Sequence, residues 1–461
     1  MAGQYSPYDV RLQAHIVLEA ETPLIIGSGN KNTLTDSSIL KDVNGLPYIP
    51  GTSIAGVVRH LIDEEQQNGY FGIKSDKKTK RDNSKGSDII FSEAKIVDFN
   101  GRVQDGFSSE DNNSEFRKLY SDLPKRNHVC ITDKGVAKEH GKFDEEVIFK
   151  GSRFAFGIEM VVKSSDIDSA EKFFDQVLNI LHCEVFRLGG GTRNGFGEMS
   201  VVDIRKRKLN LTIPAELESY LSTSSSLSSD YHSWESYNPE DMSETGWIEY
   251  KLSLTPRDFF SFDSGIGDED VDDTPVRESF IRWNGEMGKV VKNALLIPAT
   301  SLKGAIAHRV AFYYNLQKEK FAMKMQPEDF KDCTGNHNEA VRLLFGYQDD
   351  DNAISQKRGN CLFSDIVEEN GQDKILNHVM IDKFTGGAMD GALFSEKVIE
   401  KGNLEFRTSI LVKAGDKEEF AEALSCLEKA IDDIDRGTLT FGAGSGRGHG
   451  AFKCEWAKEI K

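Results

Sequence analysis

The sequence predicts an α+β chain in which one module occurs twice. Two sets of repeated residues and one repeated order of elements carry that prediction. Pro50, Thr52, Ser53, Gly56 and His60 recur as Pro298, Thr300, Ser301, Gly304 and His308, each 248 residues further on. The glycine-rich run Leu188–Gly197 returns as Phe441–Gly450 after 253 residues. Spacing kept over such distances points to internal duplication. Around these landmarks each half orders its patterned segments as strand, helix, strand, strand, helix, strand.

In the first half, Leu12, Ala14, Ile16, Leu18 and Ala20 alternate with polar residues, the period of a half-buried strand. A loop with Gly27 and Gly29 follows. Pro50 with Thr52 and Ser53 then starts a helix whose apolar positions Ile54, Val57, Val58, Leu61 and Ile62 share one face. Residues 63–85 are rich in lysine (Lys74, Lys77, Lys78, Lys80) and read as an exposed loop. A strand is expected over 88–97 and a surface insertion over 100–125. Alternation over Arg153–Val162 predicts a further strand, and positions 170, 173, 174, 177, 178 and 181 an amphipathic helix. Met199, Val201 and Val202 predict the closing strand.

The second half repeats this from Ile248, Tyr250, Leu252 and Leu254 onward. Cys361–Ile366 matches Ile90–Ala94, and Asn377–Ile381 matches Asn127–Ile131. Leu404–Val412 predicts a strand. Asp416 opens a capping-box pattern before the helix of Phe420, Ala423, Leu424, Leu427, Ile431 and Ile434. Phe452, Cys454 and Trp456 end it. This order is the split βαβ or ferredoxin-like plan. The serine-rich stretch 214–245 reads as a linker, so the expected domains are 1–213 and 246–461.

Fifty-seven basic against 75 acidic residues give a net charge of −18, which excludes a generic nucleic-acid binder whose affinity comes from an overall basic surface. Any contact with RNA must be local. Six cysteines without paired spacing, and no apolar run of membrane length, make a soluble protein of the reducing cytoplasm the expectation, with no membrane partner. Cys333 with His337, and His182 with Cys183, lack a second ligand pair and make poor zinc sites. The acidic tracts 268–273 and 349–351 read as solvated loops.

The glycine loops admit two readings. Gly189, Gly190, Gly191 and Gly195 with Arg193, and Gly442, Gly444, Gly446 and Gly448 with Arg447, could bring a phosphate backbone close to chain N–H groups while arginine supplies charge. The alternative is a tight turn that needs positive φ. A dinucleotide fingerprint is excluded because these loops follow a helix, and a Walker A loop because no Gly-Lys-Ser/Thr ends them.

With its Pro-x-Thr-Ser-x-x-Gly helix start and its glycine loop after the second helix, each half resembles the RAMP superfamily of CRISPR effector subunits, and within it the backbone subunits of type III complexes. The resemblance implies two tandem ferredoxin-like (RAMP/RRM-like) domains. It implies contact with guide RNA through Thr52, Ser53, Arg59, His60, Thr300, Ser301, Lys303, His308 and the glycine loops. A thumb-like hairpin that wedges between guide and target would lie in Asp133–Val147 and in Asp382–Val398. Partners would be guide RNA, single-stranded target RNA and other effector subunits.

It also implies that a loop aspartate after the first strand cuts target RNA with a divalent metal, Mg or Mn. Asp36 matches that residue, as catalyst and metal ligand. A lone carboxylate can position a metal or its water while the RNA 2′-hydroxyl attacks; the alternative is an Asp capping its own Ser37-Ser38 turn. In the second half Glu278-Ser279-Phe280-Ile281-Arg282 is aligned with this segment, and Asp272 and Asp273 stand just upstream. A scaffold that orders guide RNA without cutting, and a processing nuclease using His60 or His308, are the competing functions.

Overall fold

The computed structural model describes residues 8–29, 35–73, 85–107, 114–132, 136–239, 246–326, 329–330, 333–348, 356–415 and 417–461. Asp416 and the acidic tract 349–351 lie outside them, as do the lysines between 74 and 80. The protein is a mixed α/β chain with antiparallel sheets.

In the first half, strand Val10–Ala20 lies between Arg153–Val162 and Met199–Asn210 and is antiparallel to both. Strand Arg153–Val162 pairs on its far side with Ile89–Phe91 and Ala94–Ile96. In the second half, Trp247–Pro256 lies between Phe406–Lys413 and Phe452–Ile460, and Cys361–Leu362 pairs beyond Phe406–Lys413. The central strand therefore has corresponding neighbours in both halves. Alternation explains the strands: Phe154, Phe156, Ile158, Met160 and Val162 all point into a core closed by helices Gly51–His60 and Ile167–Ile180. Burying each such side chain is worth about 1.5–3 kcal/mol. Helices Ala299–Gln317 and Glu418–Asp435 close the second core in the same way.

Between 100 and 125 the chain is more than a surface insertion. Ser114 caps helix Glu115–Ser121 by accepting the Arg117 N–H, and Phe116 and Tyr120, one turn apart, are buried in the first core. Two apolar residues are too few to show a period, so the sequence signal was weak. A second feature absent from the sequence reading is an arm, Arg277–Asn284 paired with Met287–Ile297, that reaches from the second half onto the first. Ile281 of this arm is buried in the first core, and Trp283 donates its indole N–H to the Gly151 carbonyl at 2.7 Å.

The segment expected as a linker is described to residue 239, and it covers the outer face of the first sheet. Helix Pro214–Leu221 opens it, and Tyr220 donates to Glu159 of strand Arg153–Val162. Tyr231 stacks on His15 at 3.9 Å, with Trp234 edge-on to Tyr231. Under this cover the His15 Nε2 has no hydrogen-bond partner, and burial pushes the imidazole down to about 4 despite Asp203 nearby. The unfolded chain binds that proton near pH 6.5, so stability falls as pH drops below 6.5 and the loss is complete below about 4. The expected loss is about 3 kcal/mol. Thermal melts across this range should show that component disappear in His15→Phe.

Candidate nucleic-acid interface

The first glycine loop faces the second module. Gly195 forms a parallel bridge with Ser364, at φ +104°, and a Cβ there would lie 2.5 Å from the Ala299 Cβ and from the Asp365 carboxylate. Arg193 Nε donates to the Gly359 carbonyl at 3.1 Å, and Asn194 Oδ1 accepts from Lys303 Nζ at 2.9 Å. Arg187, buried beside the loop, donates to the Phe363 carbonyl and to Ser364 Oγ. Gly189 and Gly442 serve packing within their own modules: a Cβ would lie 2.2 Å from the Ile25 carbonyl and 2.0 Å from the Ser261 carbonyl respectively. For these positions the turn reading explains the glycine. Gly446 and Gly448 have open space around them.

Where this loop meets the start of helix Ala299–Gln317 there is a groove of about 1310 Å³. Thr300, Ser301, Lys303, His308 and Gly442 line it, together with Asn194 and with Ile131 and Thr132 of the first module. The groove is composite, and no reading of one repeat alone could have found it. Beside Lys303 of the groove, positive charge is crowded. Burial pushes the Arg193 guanidinium down to about 10, with Arg358 and Arg187 adding repulsion, and burial likewise lowers Lys303, with Arg193 beside it. Burial that lowers cationic pKa values marks a place where an anion would be stabilising.

Thr52, Ser53, Arg59 and His60 occupy the matching helix of the first module but lie apart from this groove. His60 Nδ1 is 2.6 Å from the Gly56 carbonyl, the bond of a helix-surface histidine. Arg447 is tied to Glu396 at 2.6 Å, and the other Glu396 oxygen meets His378 Nε2 at 2.7 Å.

Two hairpins project from the modules, Lys125–Ile131 with Ala137–Glu146 and Gln372–Ile381 with Ala388–Glu400. They begin earlier in the chain than the expected thumb segments, and 133–135 lie outside the described residues. Both carry apolar side chains in solvent: Ile131 is 70% exposed and Phe384 98%. Each also stacks a histidine on a phenylalanine, His128 on Phe143 and His378 on Phe394.

At the base of each hairpin sits a loop aspartate. The Asp36 N–H donates to Asp144 Oδ1 at 2.8 Å, and the Asp144 N–H returns a bond to Asp36 Oδ2 at 3.2 Å. In the second module the Asp272 N–H donates to the Ser395 carbonyl at 3.0 Å, and the Ser395 N–H returns a bond to Asp272 Oδ2 at 2.8 Å. The next residues make parallel bridges, Ser37 with Glu145 and Asp273 with Glu396. Asp272, not Glu278, is thus the structural counterpart of Asp36. Glu278 corresponds to Asp42: Lys41 bridges Pro47 as Arg277 pairs with Leu295.

Glu278 has a different occupation. Its carboxylate grips Arg126 at two points, Nε with Oε1 and Nη2 with Oε2 at 2.8 Å, while Arg126 Nη1 holds Asp365. All three side chains are under 10% exposed. Burial works against the charge, but the two carboxylates outweigh it and hold the Arg126 pKa above the ordinary arginine value. Asp365 Oδ1 also accepts the Ala299 N–H at 2.7 Å, which ties the trio to the groove helix. Sequence reasoning missed Arg126 and Asp365, because nothing in a linear pattern pairs positions 126, 278 and 365.

Asp273 has Asp263 beside it, and burial, with the charges of Asp273 and Glu396, pushes Asp263 up to about 6. Among the described residues no group of three or more His, Cys, Asp or Glu side chains could hold a metal by itself. Asp36 and Asp144 still offer two carboxylates across one loop–strand contact, which fits a Mg-type ion that takes one or two carboxylates and fills its shell with water and phosphate oxygens. The second module offers Ser395 where the first has Asp144. The six cysteines are free thiols, and no helix among the described residues is long and apolar enough to cross a membrane.

No curated protein sequence matches the chain. A profile of the RAMP superfamily matches residues 17–200 and 281–453, one stretch in each half. Those stretches hold both hairpins, both helix starts and both glycine loops, and they span well over half of the chain: it belongs to the RAMP superfamily.

Proposed function

We propose that this chain is a guide-RNA-binding backbone subunit of a type III CRISPR effector complex, built of two ferredoxin-like modules, and that its first module cleaves target RNA at Asp36. The observation that carries the binding role is the composite groove, where Lys303 sits with Thr300 and Ser301 and with Arg193 close by. The order of strands in each sheet, repeated in both halves, supports the ferredoxin-like reading. Binding there reads the phosphate backbone and carries no base code. The net charge of −18 makes stable binding depend on neighbouring subunits.

At the cleavage site Asp36 and Asp144 would hold a divalent ion, which when bound supplies Lewis-acid stabilisation of the phosphoryl oxygens. Asp36 is exposed and its Oδ2 is fixed by the Asp144 N–H, so the loop presents the carboxylate at a set position against the hairpin base. The nucleophile is the 2′-hydroxyl of the RNA. A non-catalytic scaffold is the second reading, favoured by the same reciprocal bonds, which also suit a purely structural latch.

Filter binding of guide RNA to the complex reconstituted with the full chain tests the groove. Lys303→Ala and Arg193→Ala should each weaken binding by about tenfold and reduce the slope of log affinity against log salt by about one. Unchanged affinity and slope in both variants would remove the groove from the RNA path.

A further inference from the structure

The second module carries a carboxylate pair that the first lacks. The Ser264 N–H donates to the Thr274 carbonyl as the Ser28 N–H does to that of Ser38, both at 2.9 Å, so Asp263 and Asp273 correspond to Gly27 and Ser37. In the first module this place is small and neutral, and a Cβ on Gly27 would lie 3.9 Å from Ser37 Oγ. In the second, two acidic side chains meet there within hydrogen-bond reach.

Two facing carboxylates repel unless a proton or a cation stands between them. The nearby cationic side chains are engaged elsewhere: Lys397 Nζ holds Asp268 and Asp270, and Arg447 holds Glu396. A second observation points to the same place. His449, 7% exposed, stands where the first module has Phe196. Its Nδ1 has no hydrogen-bond partner and faces Glu396 Oε1 at 3.9 Å, and Glu396 makes the parallel bridge to Asp273. A buried ring nitrogen without a protein partner calls for a bound water or ion. The module that gained two carboxylates has thus also exchanged a phenyl ring for an imidazole beside them.

We infer that Asp263 and Asp273 bind a divalent cation of the Mg or Mn type at the edge of the groove, and that His449 hydrogen-bonds a water of its shell. Ions of this type take one or two carboxylates and keep several waters, and a group that bonds such a water fixes the site. Asp263 lines the groove, so the cation would turn an acidic edge that repels anions into one that attracts them. The site is distinct from that of Asp36 and Asp144, because the counterpart of Asp36 is Asp272, whose Oδ2 is held by the Ser395 N–H.

Titration of the RNA-free full chain with Mn²⁺ near neutral pH, followed by the electron paramagnetic resonance signal of the free ion, tests the inference. Asp263→Gly combined with Asp273→Ser installs the first module's residues and should bind about one ion fewer per chain than the wild type. The same difference should appear on an Asp36→Asn background, which takes the other carboxylate site out of the count. His449→Phe should weaken this ion by about tenfold. If circular dichroism shows that the double variant does not fold, Asp263→Asn takes its place; its amide oxygen can still accept from Ser261 Oγ, and it too should weaken the ion by about tenfold. Unchanged Mn²⁺ stoichiometry and affinity in the folded variant would overturn the site and leave the pair held by a shared proton. Unchanged affinity in His449→Phe would overturn the part given to His449. Neither result touches RNA binding in the groove or cleavage at Asp36, which are tested at other residues.

Discussion

Asp36→Asn in the assembled, guide-loaded complex is expected to slow cleavage of labelled target RNA by about 10³-fold, a loss of about 4 kcal/mol in transition-state stabilisation. The amide can still accept the Asp144 N–H bond that holds Asp36 in place, so the loop should keep its conformation and RNA affinity should stay within about twofold. That separates chemistry from scaffolding. Asp144→Asn, which removes the second carboxylate, should fall between wild type and Asp36→Asn, and excess Mg or Mn should recover part of its rate. Asp272→Asn should leave the main cut intact, since its partner is Ser395 and offers no second charge. Persistence of every cut in Asp36→Asn would establish the scaffold reading and make the reciprocal bonds a latch.

The correspondence between Asp36 and Asp272 shows where sequence reasoning stopped. Strands such as Arg153–Val162 were legible because one face is buried and the other faces polar cover, which writes period two into the residues. Helix Ile167–Ile180 was legible from its single apolar stripe. The pairing of loop aspartates was hidden by a change of register. Pro50 and Pro298 are 248 residues apart, but Asp36 and Asp272 only 236, because the second module carries the longer arm Arg277–Ile297 between the loop and the helix. A linear match across that arm picked Glu278, a carboxylate of the right charge in the wrong place. The groove was half legible: Thr300, Ser301, Lys303 and His308 follow from the repeat, while Asn194, Ile131 and Thr132 arrive from another module. Long-range contacts of this kind leave no periodic trace in either partner.

Arg126→Ala is expected to destabilise the junction between modules by about 3–5 kcal/mol, the cost of leaving a buried carboxylate pair without its cation. Asp365 has a side chain 1% exposed and Glu278 9%, so water cannot replace the guanidinium without opening the junction. The lost packing of the Arg126 stem on the Phe196 ring, 4.8 Å from the guanidinium, adds to the effect. The pH dependence distinguishes this from a simple cavity. Burial and the neighbouring Glu278 charge push the Asp365 carboxyl above its unfolded value, and without Arg126 nothing offsets them, so protonation favours the folded form. The stability deficit should therefore be largest near neutral pH and shrink as pH falls through the raised values, whereas a cavity would cost the same throughout. In the triple variant Arg126→Met, Glu278→Met, Asp365→Asn the charges go together, and stability should return to within about 1–2 kcal/mol of wild type. Differential scanning calorimetry across pH 4–8 reads both outcomes. A deficit under about 1 kcal/mol in Arg126→Ala, or one independent of pH, would mean that the arm and its Ile281 and Trp283 contacts hold the modules together without help from the ion triad.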